Sequence, residues 1–594
     1  MMRKIIISSL FLCIFVATSF AQEATDTLLD KLKNKAKEKL NISGTIGVTY
    51  EGYGLSRSPS GWSGYQPRRP WNQVRFNFTP TFKFGKNFSL PFNFNFAAIP
   101  TNFAGPYAGI KKPSFSQFIT NPMNSFGINP KYKWAELQLG TQYFKYSDLS
   151  TGDIGVFGYG FDLRPKTFLF KFFTGISQQG INYVLGPPTV TGAYKRKNWM
   201  AQIGTEKEGS YLFAFNVAKG KDVPNSAAPP PLTVRPQEGV VLSIVTDLYF
   251  EKGIYFKAEG AQSTFTKDLA TPLTPVLKSL KPFIEAHTST ITDYAAQLAV
   301  GKKGKKLDLG VMIKYLGAGF QTIGYPFLQS DRLDYTLNTR INAWKNKMNI
   351  VASIGQRVNN VNNTALKAKQ FIGNLNWFTQ FSDKFSLNVN YNNFGFQAAS
   401  GFNPYGIKNV SNDLGINPTF TFTGKKIIHL ISMSYNYSKY DERDVLTGLT
   451  TSNNTHTALL TYVPTYLQKE IAPDFSILYF YNDVPGAKIT LATLSAALSM
   501  PAAKKKMRLR GQLQYTLGKL NSFSNSNNLI ASCNIDYKLT KKLTWTTFLT
   551  TNYFKYGNEI LPNGANYTET TCRTGFLFLF LFYTEIRRER PGPI

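Results

Sequence analysis

Histidine is scarce in this chain: His287, His429 and His456 are the three present. Acid–base or nucleophilic chemistry at neutral pH would have to run through them or through carboxylates. His287-Thr288-Ser289 sets an imidazole beside a hydroxyl, the pairing that activates a serine nucleophile. Glu285 and Asp293 stand near enough to orient the base. The tripeptide lies in a Thr/Ser-rich stretch where it arises easily by chance, so no enzyme is expected. His429 alternates with apolar neighbours and reads as a packed or interfacial side chain. His456 follows Asn453-Asn454-Thr455 and reads as a solvated residue at a strand end. No cluster of His and Cys has metal-ligand spacing, and neither metal nor cofactor is expected. Cys533 and Cys572 make no disulfide framework and are expected as free thiols, with Cys533 on the apolar parity of its strand.

Charge is the second chemical resource. The formal net charge is +32. A soluble protein this basic often binds nucleic acid, but no nucleic-acid module is legible and none is expected as a partner. In a membrane pore the excess has other uses: lining the lumen to favour anions, or pairing with lipid phosphates at the rim. Turn lysines that serve solubility alone are a third reading, and Lys86, Lys384 and Lys541-Lys542 sit in such turns. Arg75 and Lys83 are the candidate lumen-facing cations. Tyr107, Lys111 and Lys112 belong to a long loop between 98 and 130 that is the candidate constriction. The expected partners are outer-membrane lipids and anionic solutes.

What must position these residues is a β-sheet with two different faces. Val74, Phe76, Phe78, Phe82 and Phe84 alternate with Arg75, Asn77, Thr79, Thr81 and Lys83; Gly85-Lys86-Asn87 turns the chain; and Phe88 to Phe96 alternate again. A period of two gives one apolar and one polar face. Long strands with apolar outer and polar inner faces mark a transmembrane β-barrel. The pattern recurs to the end of the chain. Tight turns alternate with longer connections at 98–130, 219–237, 264–290, 392–418 and 557–568. This is the asymmetry of short turns at one mouth and long loops at the other. The expected fold is all-β, a large antiparallel barrel of roughly 22–26 strands with a short N-terminal helix.

The ends divide the chain further. Arg3 and Lys4 precede an apolar stretch, Ile5 to Val16, and Ser19-Phe20-Ala21 offers a cleavage site, so residues 1–21 read as a signal peptide. Residues 22–42 carry Leu28, Leu32, Ala36 and Leu40 at helical spacing, a short amphipathic helix. The barrel is expected over 43–583, with a first strand near Ser43 to Tyr53. In the 264–290 loop, Leu273, Val276, Leu277, Leu280, Phe283 and Ile284 suggest a short helix. The last strand, Gly575 to Tyr583, sets Phe576, Phe578, Phe580 and Phe582 on one face and Leu577, Leu579 and Leu581 on the other. A basic tail, 584–594, follows.

Asn121-Pro122-Met123, Pro130-Lys131-Tyr132-Lys133-Trp134-Ala135, Gly140, Gly155 and Gly158-Tyr159-Gly160-Phe161-Asp162-Leu163-Arg164-Pro165 together resemble a group of uncharacterised outer-membrane β-barrel proteins of Bacteroidetes. The resemblance covers 75–180 best. It implies the same fold and an outer-membrane location, and it carries no activity and no site residues. His287-Thr288-Ser289 is similar to the His-x-Ser pair of lipid A deacylases. The expected function is a passive channel or transporter with a basic lumen favouring anionic solutes. The alternative is a plugged structural barrel that partners surface-protein export or lipid organisation.

Overall fold

The computed structural model describes residues 40–58, 64–98, 118–119, 124–152, 154–185, 191–228, 230–231, 234–274, 283–324, 328–362, 367–400, 403–444, 449–521, 526–557 and 565–583. These form a closed antiparallel β-barrel of 26 strands. Each strand pairs with its neighbours in sequence, and Leu40–Ser58 closes the barrel by pairing with Asn566–Tyr583 from Asn41↔Tyr583 to Ser58↔Asn566. No helix among the described residues is long and apolar enough to cross a membrane.

Two strands are interrupted at prolines. The second runs as Asn72–Phe78 and Thr81–Phe84, both paired with Leu40–Ser58. Pro80 has no N–H to give the ladder, and the strand breaks there. Its carbonyl still accepts from Phe92 N at 2.8 Å. The fourth breaks at Asn129-Pro130 into Ser125–Ile128 and Lys131–Tyr132. Opposite that break Gly140 takes φ +91°, and a Cβ on it would lie 1.6 Å from the Phe126 carbonyl oxygen, so glycine is required.

The outward face is apolar and largely accessible, as at Val48, Phe76, Ile244, Leu337, Ile477 and Leu513, while Val217 and Val240 on it are covered by Phe283 and Ile284. Phenylalanines of the first hairpins pack ring to ring there: Phe76 with Phe96, Phe78 with Phe94, and Phe94 with Phe126 at 4.4 Å between centroids. Cys533 and Cys572 are free and share this parity.

Several expectations need correction. The first strand begins at Leu40, so Leu40–Ile42 are strand rather than helix; the rest of the 22–42 helix, the 1–21 leader and the 584–594 tail lie outside the described residues. Phe283 and Ile284 are not helical, and 275–282 also lie outside. The 392–418 connection is strand nearly throughout, since Phe385–Ser400 and Asn403–Thr423 run through it. Its Asn and Gly content resembles a loop, but the ladder satisfies the backbone and the side chains bond across strands: Ser434 Oγ donates to Asn417 Oδ1 at 2.6 Å, and Asn417 Nδ2 to Asn390 Oδ1 at 3.2 Å. His456 lies within the strand Thr450–Tyr466, not at its end. It faces outward among Tyr435, Tyr437 and Tyr481 and shares a hydrogen bond with the Tyr435 hydroxyl at 2.9 Å.

Candidate functional site

The inner face of the barrel divides into a covered and an uncovered wall. Two connections, 145–152 and 317–324, turn inward and lie on the strands between Ala135 and Leu316. They also hold each other: Gly152 N donates to Gly324 O at 2.6 Å and Thr322 Oγ1 to Ser150 O at 2.8 Å. Apolar contacts seat them. Leu149 and Phe320 are fully buried with Val241, Ala261, Ala295 and Leu316. Beside them Phe144, Tyr146, Val156, Phe173 and Met200 form a second cluster.

Polar groups fix their position. Leu149 N donates to Glu259 Oε1 at 3.2 Å, and Gly319 N to Asp293 Oδ2 at 2.6 Å. Gln202 Nε2 donates to Tyr146 O at 3.2 Å, while Ser147 and Ser243 hydroxyls meet at 3.3 Å. Ser263 Oγ donates to the Gln321 carbonyl. These buried groups answer one another, as interior polar groups must. Burial alone would raise the Asp148 carboxyl, but hydrogen bonds from Lys145 and Gln297 outweigh it and hold the group below the usual carboxylate range.

From the strand Ala368–Gln380 onward the inner wall is different. Asn374, Asn388, Asn417, Ser432, Thr461 and Gln514 point inward and are partly or fully accessible. Phe378, Phe548, Leu577 and Leu579 also point inward and are exposed, but the wall is otherwise polar.

At the seam between first and last strands lies an arginine cluster. Arg573 Nη2 pairs with Glu51 Oε1 at 2.6 Å, and Arg75 and Arg69 approach the same carboxylate at 3.5 and 3.9 Å. Arg68 Nη2 pairs with Glu569 Oε2 at 2.5 Å and stands over the Tyr65 ring, which stacks on Tyr567. The Glu569 hydrogen bond raises the Arg68 guanidinium above its ordinary value. Both carboxylates are nearly buried, whereas the four guanidiniums are about half exposed. Four cations on two anions leave donors free to take an anion from the lumen.

Of the candidate residues, Arg75 thus lies on the inward face beside Glu51. Lys83 is inward and exposed near the short-turn end, opposite Ser89 and Asn41, away from the cluster. Tyr107, Lys111 and Lys112 lie outside the described residues. His287 and Ser289 do not form a base–nucleophile pair: His287 Nδ1 bonds to Thr271 O at 2.6 Å and Ser289 Oγ donates to Asp268 O at 2.9 Å. Asp293 is occupied by the inward segment. Among the described residues no group of three or more His, Cys, Asp or Glu is arranged to hold a metal ion. Sequence reading missed both inward segments and Arg68, Arg69 and Arg573. The signal available was apolar residues on the inner parity, at Val156, Phe173, Met200 and Val241.

No family model matches the chain, and no curated protein matches it. Solved structures similar in architecture include the P pilus usher translocation pore, with 9% identity, 90% of this chain and 99% of that one covered, and a TM-score of 0.35. The FrpB iron transporter from Neisseria meningitidis gives 10%, 93%, 83% and 0.36. An anion-selective porin from Comamonas acidovorans gives 11%, 48%, 93% and 0.24. At these scores none of them bears on what this barrel does.

Proposed function

We propose that the chain is an outer-membrane barrel acting as a passive channel or transporter, with anionic solutes drawn to the arginine cluster at its seam. The observation that carries this reading is the accessible and mostly polar wall contributed by the strands from Ala368 to Tyr583, set against an apolar outer face. Twenty-six strands at ordinary spacing and tilt enclose a cylinder about 50 Å across, far wider than the two inward segments among the described residues fill. Inward strand positions carry acidic and basic residues in near-equal number, so preference for anions rests on Arg68, Arg69, Arg75 and Arg573 rather than on the whole wall.

Single-channel conductance of the purified chain in a planar bilayer, under a salt gradient, tests this. Steady conductance with an anion-leaning reversal potential is expected, moving toward cations in Arg573→Gln. A folded barrel without conductance would favour the second reading, a plugged barrel serving export or lipid organisation. The buried inward segments 145–152 and 317–324 speak for that reading.

A further inference from the structure

The mouth formed by the short turns holds far more positive charge than the other mouth. Its twelve turns, from Gly85–Asn87 to Leu539–Lys542, contain eighteen lysines and one arginine against four carboxylates. The much longer connecting sequences between the other strand ends contain ten basic and six acidic residues. The short-turn mouth thus holds about half of the chain's net charge of +32 in under a tenth of its length. Lys347 pairs with Asp383, Lys505 with Glu470, and Arg164 with Asp162 and Glu206 of the adjoining strands, but these carboxylates are too few to neutralise nineteen cations.

Two observations show what this crown faces. First, its cations adjoin outward aromatic residues in the same turns. Trp134 follows Lys133, Lys345 follows Trp344, and Lys252 and Lys384 come two and three residues after Phe250 and Phe381; all four aromatics are about half exposed. Aromatic rings at a barrel's end sit at the headgroup level, so the ammonium groups on their four-carbon stems reach the phosphate layer. Second, the lysines occupy costly backbone positions. Lys133, Lys166, Lys252, Lys345, Lys504 and Lys505 have φ between +51° and +66°, where glycine or asparagine is favoured. Turn geometry therefore does not account for lysine there.

We infer that this crown binds the anionic phosphate headgroups of the adjoining leaflet and selects net-negative over zwitterionic lipids. The inference rests on the membrane-spanning reading above. The test is electron paramagnetic resonance of spin-labelled phosphatidylglycerol and phosphatidylcholine around the full chain in bilayers of both lipids. The glycerol lipid should associate about threefold more strongly, and the ratio should fall toward one in high salt. It should also fall in K345Q/K347Q/K425Q/K426Q/K504Q/K505Q/K506Q and be kept when the same lysines become arginine. Should the sevenfold variant fail to fold, K504Q/K505Q/K506Q should lower the ratio in proportion. A ratio near one in the native chain, or one unmoved by loss of the lysines, overturns the inference and leaves the crown to a soluble acidic partner. Absence of any motionally restricted lipid would instead overturn the membrane reading.

Discussion

Strands from Ala135 to Leu316 and strands from Ala368 to Tyr583 are built on one plan outside and two plans inside. In the first set the inner positions hold Val156, Phe173, Met200, Val241, Ala261 and Leu316, buried beneath the chain's own connections. In the second they hold mostly Asn, Thr and Ser, with apolar Phe378, Phe548, Leu577 and Leu579 exposed among them. A wall that faces water keeps the alternation for the most part. A wall that faces protein loses it, because both faces then meet apolar surroundings. The inner parity of a barrel strand therefore reports what fills the lumen beside it.

Substitutions matched across the two walls test that statement. The largest effect is expected from Phe320→Asp, which sets a charge in the apolar cluster under the covered wall. Hydrogen exchange across 145–152 and 317–324 should rise to that of free loops, and conductance should increase. Ser432→Asp on the uncovered wall should change neither. Equal responses would erase the distinction. Phe320→Ala should weaken the seating of its segment by about 3–4 kcal/mol, read from the same exchange rates. Thr322→Val removes the hydroxyl that donates to Ser150 O and should cost about 1 kcal/mol. Arg573→Gln, at the seam where the uncovered wall meets the first strand, should cost less than about 1 kcal/mol because the guanidinium is half exposed. Ser432→Ala should stay within about 0.5 kcal/mol in denaturant melts.

Much of the fold was legible because a barrel with an apolar outer face and a mostly polar inner one has a side-chain period of two. Phe76, Phe78, Phe94 and Phe96 disclose the outer face without help from any distant residue. The 392–418 region was misread because asparagine in an inner wall and asparagine in a loop look alike by composition. The site was less legible. Arg75 could be placed by parity, but its partner Glu51 is on another strand, and Arg68 meets Glu569 from 501 positions away. Nothing local in 145–152 or 317–324 says that these segments turn inward, since their contacts are with walls formed far along the chain.

The ladder from Asn41↔Tyr583 to Ser58↔Asn566 also orders how such a molecule is assembled. Every other pairing in the sheet joins neighbouring strands, so each hairpin is recruited beside the last at little entropic cost. Closure alone must wait for the final strand, and until then both terminal edges present unsatisfied backbone groups to any available strand. The nascent sheet is thus a zipper with one late clasp. Its exposure to wrong pairing is set by the interval before that clasp meets its mate, not by the stability of the hairpins already in place.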